Sequence, residues 1–306
     1  MAIPLALLLV STLTHDSAAQ QRRRVADYAS RIDTTFSFDK AGSITLSAGN
    51  GDIIVTGWSR NEVHVRATSD DDNVRMDVSS SRLSLDVSGS RRSSDTRFEV
   101  SVPYGVRVSA VTRSGDISIR GTRGPVEVRA QNGDLDIDDV TSRLEVSTFS
   151  GDLVASNIAG DAHIGTISGS VRLTDVRGNV DANTVSGDIG LRGVTARSIR
   201  AKTTSGDVTF DGVIDPAGRY ELGTHSGDVR LHIQRDASAQ LTVSTWNGAI
   251  DSQFPITLKP GEHGIGAATA KRITFDIGGG AARITAETFS GDITITSNGR
   301  GANARP

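Results

Sequence analysis

Aspartate follows glycine again and again in this chain, at Asp116, Asp134, Asp152, Asp188, Asp207, Asp228 and Asp292. Carboxylates drawn into a column repel one another, and calcium is the chemistry that relieves such a column. Nonapeptide β-rolls with Gly-Gly-x-Gly-x-Asp turns do this, closing a turn every ~9 residues. Here one glycine precedes each aspartate, the commonest interval is 18 residues, and Ser170 and Ala249 stand where two of the carboxylates would be. The favoured role is therefore that of a turn aspartate whose side chain accepts backbone N–H groups at a solvated corner. No metal and no cofactor is expected.

Two further columns flank this one. Thr148, Thr166, Thr184, Thr203, Thr224, Thr245 and Thr288 stand two residues before the Ser or Asn of each turn. Thr148 shares a strand face with Leu144 and Val146, so its hydroxyl should point inward and bond to neighbours rather than form an ice-binding array. The residue between Thr and Ser points the other way by strand alternation. It runs Arg113, Gln131, Phe149, Ile167, Val185, Thr204, His225, Trp246 and Phe289. Phe149, Ile167, Val185, Trp246 and Phe289 form a candidate partner-binding stripe. The alternative is a β-propensity column that packs only on itself.

Catalytic constellations are poor. The histidines, His15, His64, His163, His225, His232 and His263, are unpaired at metal-ligand spacing. No nucleophile elbow or phosphate loop is present, and Gly278-Gly279-Gly280 opens no convincing helix. No catalytic residue is assigned. The enzyme alternative is a carbohydrate-active β-helix, a polysaccharide lyase or hydrolase, but those have longer three-sided rungs with large loops.

What must position these columns is a repeat. The Ser-Gly-Asp motif or a close variant recurs with its glycine at 51, 115, 133, 151, 169, 187, 206, 227, 248 and 291, stepping from Gly115 by 18, 18, 18, 18, 19, 21, 21 and 43. The expected structural turn residues are Gly115, Asp116, Gly133, Asp134, Gly151, Asp152, Gly187, Asp188, Gly206, Asp207, Gly227, Asp228, Gly291 and Asp292. After each turn comes an alternating run such as Ile117 and Ile119 or Leu135 and Ile137, the mark of a strand with one dry face. A second column follows, Thr122, Val140, Ile158, Val176, Val194 and Val213, beside turn formers Gly121, Asp139, Asn157, Asp175, Gly193 and Gly212. A second alternating run then leads into the next motif.

At ~3.3 Å per residue, such a unit holds two short strands and two corners. The reading is all-β: a single-domain parallel β-solenoid, β-helix-like, with 18–21 residues and two main strands per rung. The turn glycine is needed where φ is positive or where a side chain would strike the neighbouring rung.

Composition agrees. Aromatics make up only 4% of 306 residues, which suits narrow columns of Val, Ile, Leu and Ala between two walls. A net charge of −3 gives no footprint for nucleic acid, and the absence of cysteine excludes thiolate zinc and cysteine nucleophiles. Residues 1–19 read as a signal peptide, with an apolar run from Ala2 to Leu13 and small residues at Ser17-Ala18-Ala19. Arg22, Arg23 and Arg24 follow that run and none precedes it, so a retained anchor or a start further upstream stays open. The mature chain has no transmembrane span, and export places it in the periplasm, cell envelope or extracellular space. A linker is expected over 20–32 and the solenoid over 33–297: irregular rungs at 33–105, regular rungs at 106–253, irregular rungs at 254–297. A disordered tail is expected over 298–306.

Phe98-Glu-Val-Ser-Val-Pro-Tyr-Gly105, Gly218-Arg-Tyr-Glu-Leu-Gly-Thr-His-Ser-Gly-Asp-Val229, Leu241-Thr-Val-Ser-Thr-Trp-Asn-Gly248 and Thr288-Phe-Ser-Gly-Asp-Ile293 carry a family resemblance. Over roughly 33–297 the chain resembles the bacterial putative-adhesin family of β-strand repeats, an exported domain of unknown function. The resemblance implies a β-solenoid and supplies no catalytic residues. The function expected is a noncatalytic exported envelope or cell-surface protein, an adhesin-like binding or scaffold module. Its partner would be a protein, a glycan or a second copy of the chain.

Overall fold

Valine, isoleucine and leucine at every second position need a second sheet to cover them, and stacked rungs supply it. The computed structural model describes residues 31–70, 73–88, 96–255 and 271–298. The expected signal peptide and most of the expected linker lie outside the described residues, as does 299–306. Arg31 already opens the first strand, and Asn298 closes the last.

The strands are β1 (Arg31–Ser37), β2 (Ser43–Trp58), β3 (Glu62–Ser69), β4 (Asn73–Val78), β5 (Arg82–Ser88) and β6 (Thr96–Pro103). Next come β7 (Arg107–Ser114), β8 (Ile117–Thr122), β9 (Val126–Asn132), β10 (Leu135–Val140), β11 (Leu144–Ser150) and β12 (Leu153–Ile158). They continue with β13 (Ala162–Ser168), β14 (Val171–Val176), β15 (Val180–Asn183), β16 (Ile189–Lys202), β17 (Val208–Ser226) and β18 (Val229–Gln234). The last are β19 (Ala239–Asn247), β20 (Ile250–Ser252), β21 (Lys271–Ile277), β22 (Ala282–Ser290) and β23 (Ile293–Asn298).

From β7 to β18 the order in space is the order in sequence. Each strand pairs in parallel with its equivalent one repeat away, as with β8, β10, β12 and β14 on one wall and β7, β9, β11 and β13 on the other. Matching positions therefore stack. Ile53, Ile117, Leu135, Leu153, Val171, Ile189, Val208, Val229 and Ile293 form one unbroken buried column by successive pairing. The family of columns fills the space between the walls, and four of the largest fully buried side chains are aromatic: Tyr220, Phe98, Phe210 and Phe275.

At both ends the chain departs from sequence order. β2 lies between β5–β6 on one side and β7–β8 on the other, so a rung that is later in sequence sits outside an earlier one. At the far end β22–β23 is inserted between β17–β18 and β19–β20. The 43-residue step in the glycine series is this detour. Residues 282–298, expected to be irregular, make a fully registered rung.

Most of the outermost strands pair antiparallel, β4 on β5, β3 on β6, β1 on β3 and β21 on β19, while short β20 pairs with β23 in parallel. An open parallel edge offers a row of unpaired backbone groups to any passing strand, and these returning strands cover it. One core expectation fails. Val194 pairs with Gly212, not Val213, and Val213 is 55% exposed. A Cβ on Gly212 would lie 2.7 Å from Cζ of Phe210, so the phenyl ring fills that place in the column and displaces valine outward.

Candidate functional site

The corner that joins the two walls carries the glycine, aspartate and threonine columns, and all three are used by the fold itself. Gly51, Gly115, Gly133, Gly151, Gly169, Gly187, Gly206, Gly227 and Gly291 have φ between 123° and 148°. A Cβ at Gly151 would land on the carbonyl of Gly133 in the adjacent rung. Both demands exclude any other residue.

The aspartates form a ladder of side-chain caps. Oδ1 of Asp52 accepts the Asp116 N–H at 3.1 Å, Asp116 accepts Asp134 N–H at 2.8 Å, Asp134 accepts Asp152 N–H at 2.9 Å, and Asp152 accepts Ser170 N–H at 2.8 Å. The ladder resumes as Asp188, Asp207, Asp228 and Asp292 accept the N–H of Asp207, Asp228, Asp292 and Ala249. Among the described residues β19–β20 is the terminal rung and no further N–H of the ladder lies beyond Ala249, so that position needs no carboxylate. Burial pushes the Asp207 carboxyl up, but the Asp228 N–H and the Arg230 guanidinium outweigh burial and hold it below its ordinary value. Among the described residues, no group of three or more His, Cys, Asp or Glu is arranged to hold a metal ion.

The threonines close the same corner from inside. Thr203, Thr224, Thr288 and Thr245 donate to the carbonyls of Gly187, Gly206, Gly227 and Gly291 at 2.9–3.0 Å. Thr166 is the exception, with a buried hydroxyl that has no partner. On the opposite corner Asp139, Asn157 and Asp175 take φ of 54–55°, in line with Gly121 and Gly193 at 69° and 65°. Asn and Asp are the non-glycine residues that tolerate this left-handed region best.

What the fold leaves over is the outward column beside the turn. Phe149, Ile167, Val185, Trp246 and Phe289 are each between 45% and 57% exposed. Registers put Phe149, Ile167 and Val185 on successive rungs, and the chain detour puts Phe289 between His225 and Trp246. Its ring stacks on His225 at 4.8 Å with 12° between planes, and on Trp246 at 5.9 Å with 11°. Sequence order alone places Phe289 beyond Trp246 and leaves His225 an ordinary member of the column, outside the apolar stripe. Both faces of the Phe289 ring are thus occupied and its edge points outward.

Stacked, registered rungs with antiparallel caps define a β-solenoid without an assembled catalytic centre among the described residues. The chain matches the family described as Toastrack DUF4097 over residues 35–296 and belongs to that family. No curated protein matches it. Among solved structures it is similar to a putative adhesin of Parabacteroides distasonis, at 12% identity over 89% of this chain and 98% of that one, with a TM-score of 0.39. A putative adhesin of Bacteroides fragilis is similar at 13% identity over 87% and 96%, with a TM-score of 0.34. A putative cell adhesion protein of Clostridium sporogenes is similar at 9% identity over 88% and 100%, with a TM-score of 0.23. Likenesses this distant carry no functional argument by themselves.

Proposed function

We propose that this chain is a noncatalytic exported module of the bacterial envelope or cell surface, a rigid rung stack that binds a protein partner through the Phe149–Trp246 stripe. The observation that supports this reading is the stripe itself. Glycine, aspartate and threonine in the same corner are consumed by backbone capping, whereas five large apolar side chains in register stay half exposed for no internal reason. Phe149, Ile167 and Val185 make one exposed apolar run and Phe289 with Trp246 another, Thr204 and His225 lying between them, and exposed apolar patches of this kind mark interaction faces. Phe289 has both ring faces covered, by His225 and by Trp246, so that ring offers no free face for a sugar to stack on. The apolar run at Ala2–Leu13 agrees with export.

Two measurements test this. Fractionation of cells producing the native chain should recover it outside the cytoplasm. Purified protein should bind the envelope surface of its own cells, and a Phe149→Ser, Trp246→Ser double variant should lose that binding by a factor of about ten or more, the ~1.4 kcal/mol that a tenfold change represents. Its melting transition should stay near wild type. Cytoplasmic recovery removes the export reading. Undiminished binding by the double variant removes the stripe.

A further inference from the structure

We propose a second binding site, on the wall opposite the stripe and independent of it: a cleft over β2, β8, β10 and β12 that takes arginine side chains of a partner polypeptide. Capping uses one oxygen of each turn aspartate and leaves the other facing outward. Toward one end of the stack the chain itself shows what that outer oxygen binds. Arg230 lays its guanidinium across two successive rungs, donating to Asp207 Oδ2 at 2.6 Å and to Asp228 Oδ2 at 2.7 Å. Toward the other end Arg97 reaches Asp52 Oδ2 at 3.4 Å.

Between those arginines the ladder lacks its guanidinium. Asp116, Asp134 and Asp152 repeat the arrangement of Asp207 and Asp228, each Oδ1 accepting the N–H one rung on. Arg230 stands two residues after Asp228, and the same place after these three holds Ser118, Asp136 and Val154. All three belong to the column of Arg230 by successive pairing. None of them is a cation. Among the described residues, no side chain pairs with the outer oxygen of Asp116, Asp134 or Asp152. Where the guanidinium would lie there is instead a cleft of about 470 Å³, lined by these carboxylates with Ile54 and Val154, and by Arg97 and Arg172. Asp52 and Asp136 line it too, but their Oδ2 atoms are already held by Arg97 and Arg120. The unmatched charge is that of the three turn aspartates.

The chemistry selects arginine. Carboxylates on neighbouring rungs stand ~4.8 Å apart. A planar guanidinium with forked donors spans two of them, as Arg230 does, whereas a lysine ammonium is a compact, strongly hydrated point charge. The exposed Val154 side chain gives an arginine stem an apolar surface to lie on. Asp116 with Asp134, and Asp134 with Asp152, make two such bridging places side by side, so a segment carrying more than one arginine fits best.

The probe is a short peptide with arginine at alternate positions, together with its lysine twin. At low salt the arginine peptide should bind the whole chain about five times more tightly than the twin, and added salt should weaken it. Val154→Arg supplies the missing guanidinium from the chain itself and should cut peptide binding about tenfold. Asp134→Asn keeps an oxygen to cap the Asp152 N–H but removes the charge shared by both bridging places. It should cut binding to a similar degree with the melting transition near wild type, and it carries the test if Val154→Arg does not fold. Equal binding of the two peptides, or undiminished binding by either folded variant, overturns the site and leaves only a diffuse negative field. Arg22, Arg23 and Arg24 of the chain offer the same group, so a variant with all three replaced by Gln is titrated in parallel. No binding of the arginine peptide to either form overturns the site as well. Binding to the triple variant alone keeps the guanidinium site but overturns the separate partner, because the chain's own arginines are then its ligand.

Discussion

Replacing Gly151 by alanine should be among the most damaging single-methyl additions the molecule can suffer, and replacing Gly165 should do no harm. Gly151 has φ of 123°, a region open essentially only to glycine, and holding alanine there costs about 1–3 kcal/mol. The added Cβ also lands on the Gly133 carbonyl one rung away. Relief requires these two rungs to part locally, which sacrifices a bond such as Leu135 N–H to Asp152 C=O at 2.9 Å, worth about 1 kcal/mol net. The sum is about 2–4 kcal/mol. Gly165 sits in β13, on the outward side of the same repeat, and a methyl there would have nothing within 4 Å. Alanine at that position should stabilise the strand by about 0.5–1 kcal/mol through the lost freedom of the unfolded chain.

Urea unfolding followed by tryptophan fluorescence suits the comparison, because Trp58 and Trp246 lie near opposite ends of the stack. With a slope of about 3 kcal/mol per molar, the Gly151→Ala midpoint should fall by about 1 M. In a stack stabilised by nearest-neighbour contacts, a cut in the middle should also begin to separate the two tryptophan transitions. A Gly151→Ala cost under about 1 kcal/mol, or a Gly165→Ala cost as large, would refute the claim that stacked glycine carbonyls set the corner.

Thr224→Val should cost about 1 kcal/mol by abandoning the Gly206 carbonyl, while Thr166→Val should be neutral or stabilising because its hydroxyl is buried without a partner; equal denaturation midpoints would defeat the contrast. Tyr220→Phe should cost about 1–3 kcal/mol, since the Tyr220 hydroxyl donates to the Ala196 carbonyl and accepts the Asp215 N–H, both at 2.8 Å; a variant as stable as wild type would show that water serves both groups. Asp138 and Asp207 are held below their ordinary carboxyl value, Asp138 chiefly by the Ser156 hydroxyl and the Asn157 amide. Their contribution is complete above that ordinary value and is lost as pH falls through the lower folded one, so unfolding midpoints should drop in acid. Arg230→Met should shrink that drop by raising the Asp207 carboxyl, and an unchanged acid profile would count against it.

The rung was legible because its signals are local. Alternation after each Gly-Asp marks one wall, the Asp139, Asn157 and Asp175 positions mark the far corner, and the constant interval aligns them. The ends were not legible because slot order in a solenoid is decided by pairing between distant segments. Ser290-Gly291-Asp292 carries the same motif as every other rung, so its sequence fits any slot, and nothing in its neighbourhood along the chain says that it lies between Ser226 and Asn247. One residue did hold the information. Ala249 is the single copy with no side-chain acceptor at all, and a carboxylate there would have no further N–H of the ladder to cap. Read as the mark of a terminus rather than as a broken column, it places β19–β20 outermost and forces β22–β23 inside. Val213 failed for the opposite reason: the packing that displaced it is local, but it depends on the size of the Phe210 ring, which a pattern of apolar and polar positions does not register. The same detour that hid the order of the rungs also assembles His225, Phe289 and Trp246 into one stack, so the most distinctive part of the exposed stripe exists only once the chain has folded back on itself.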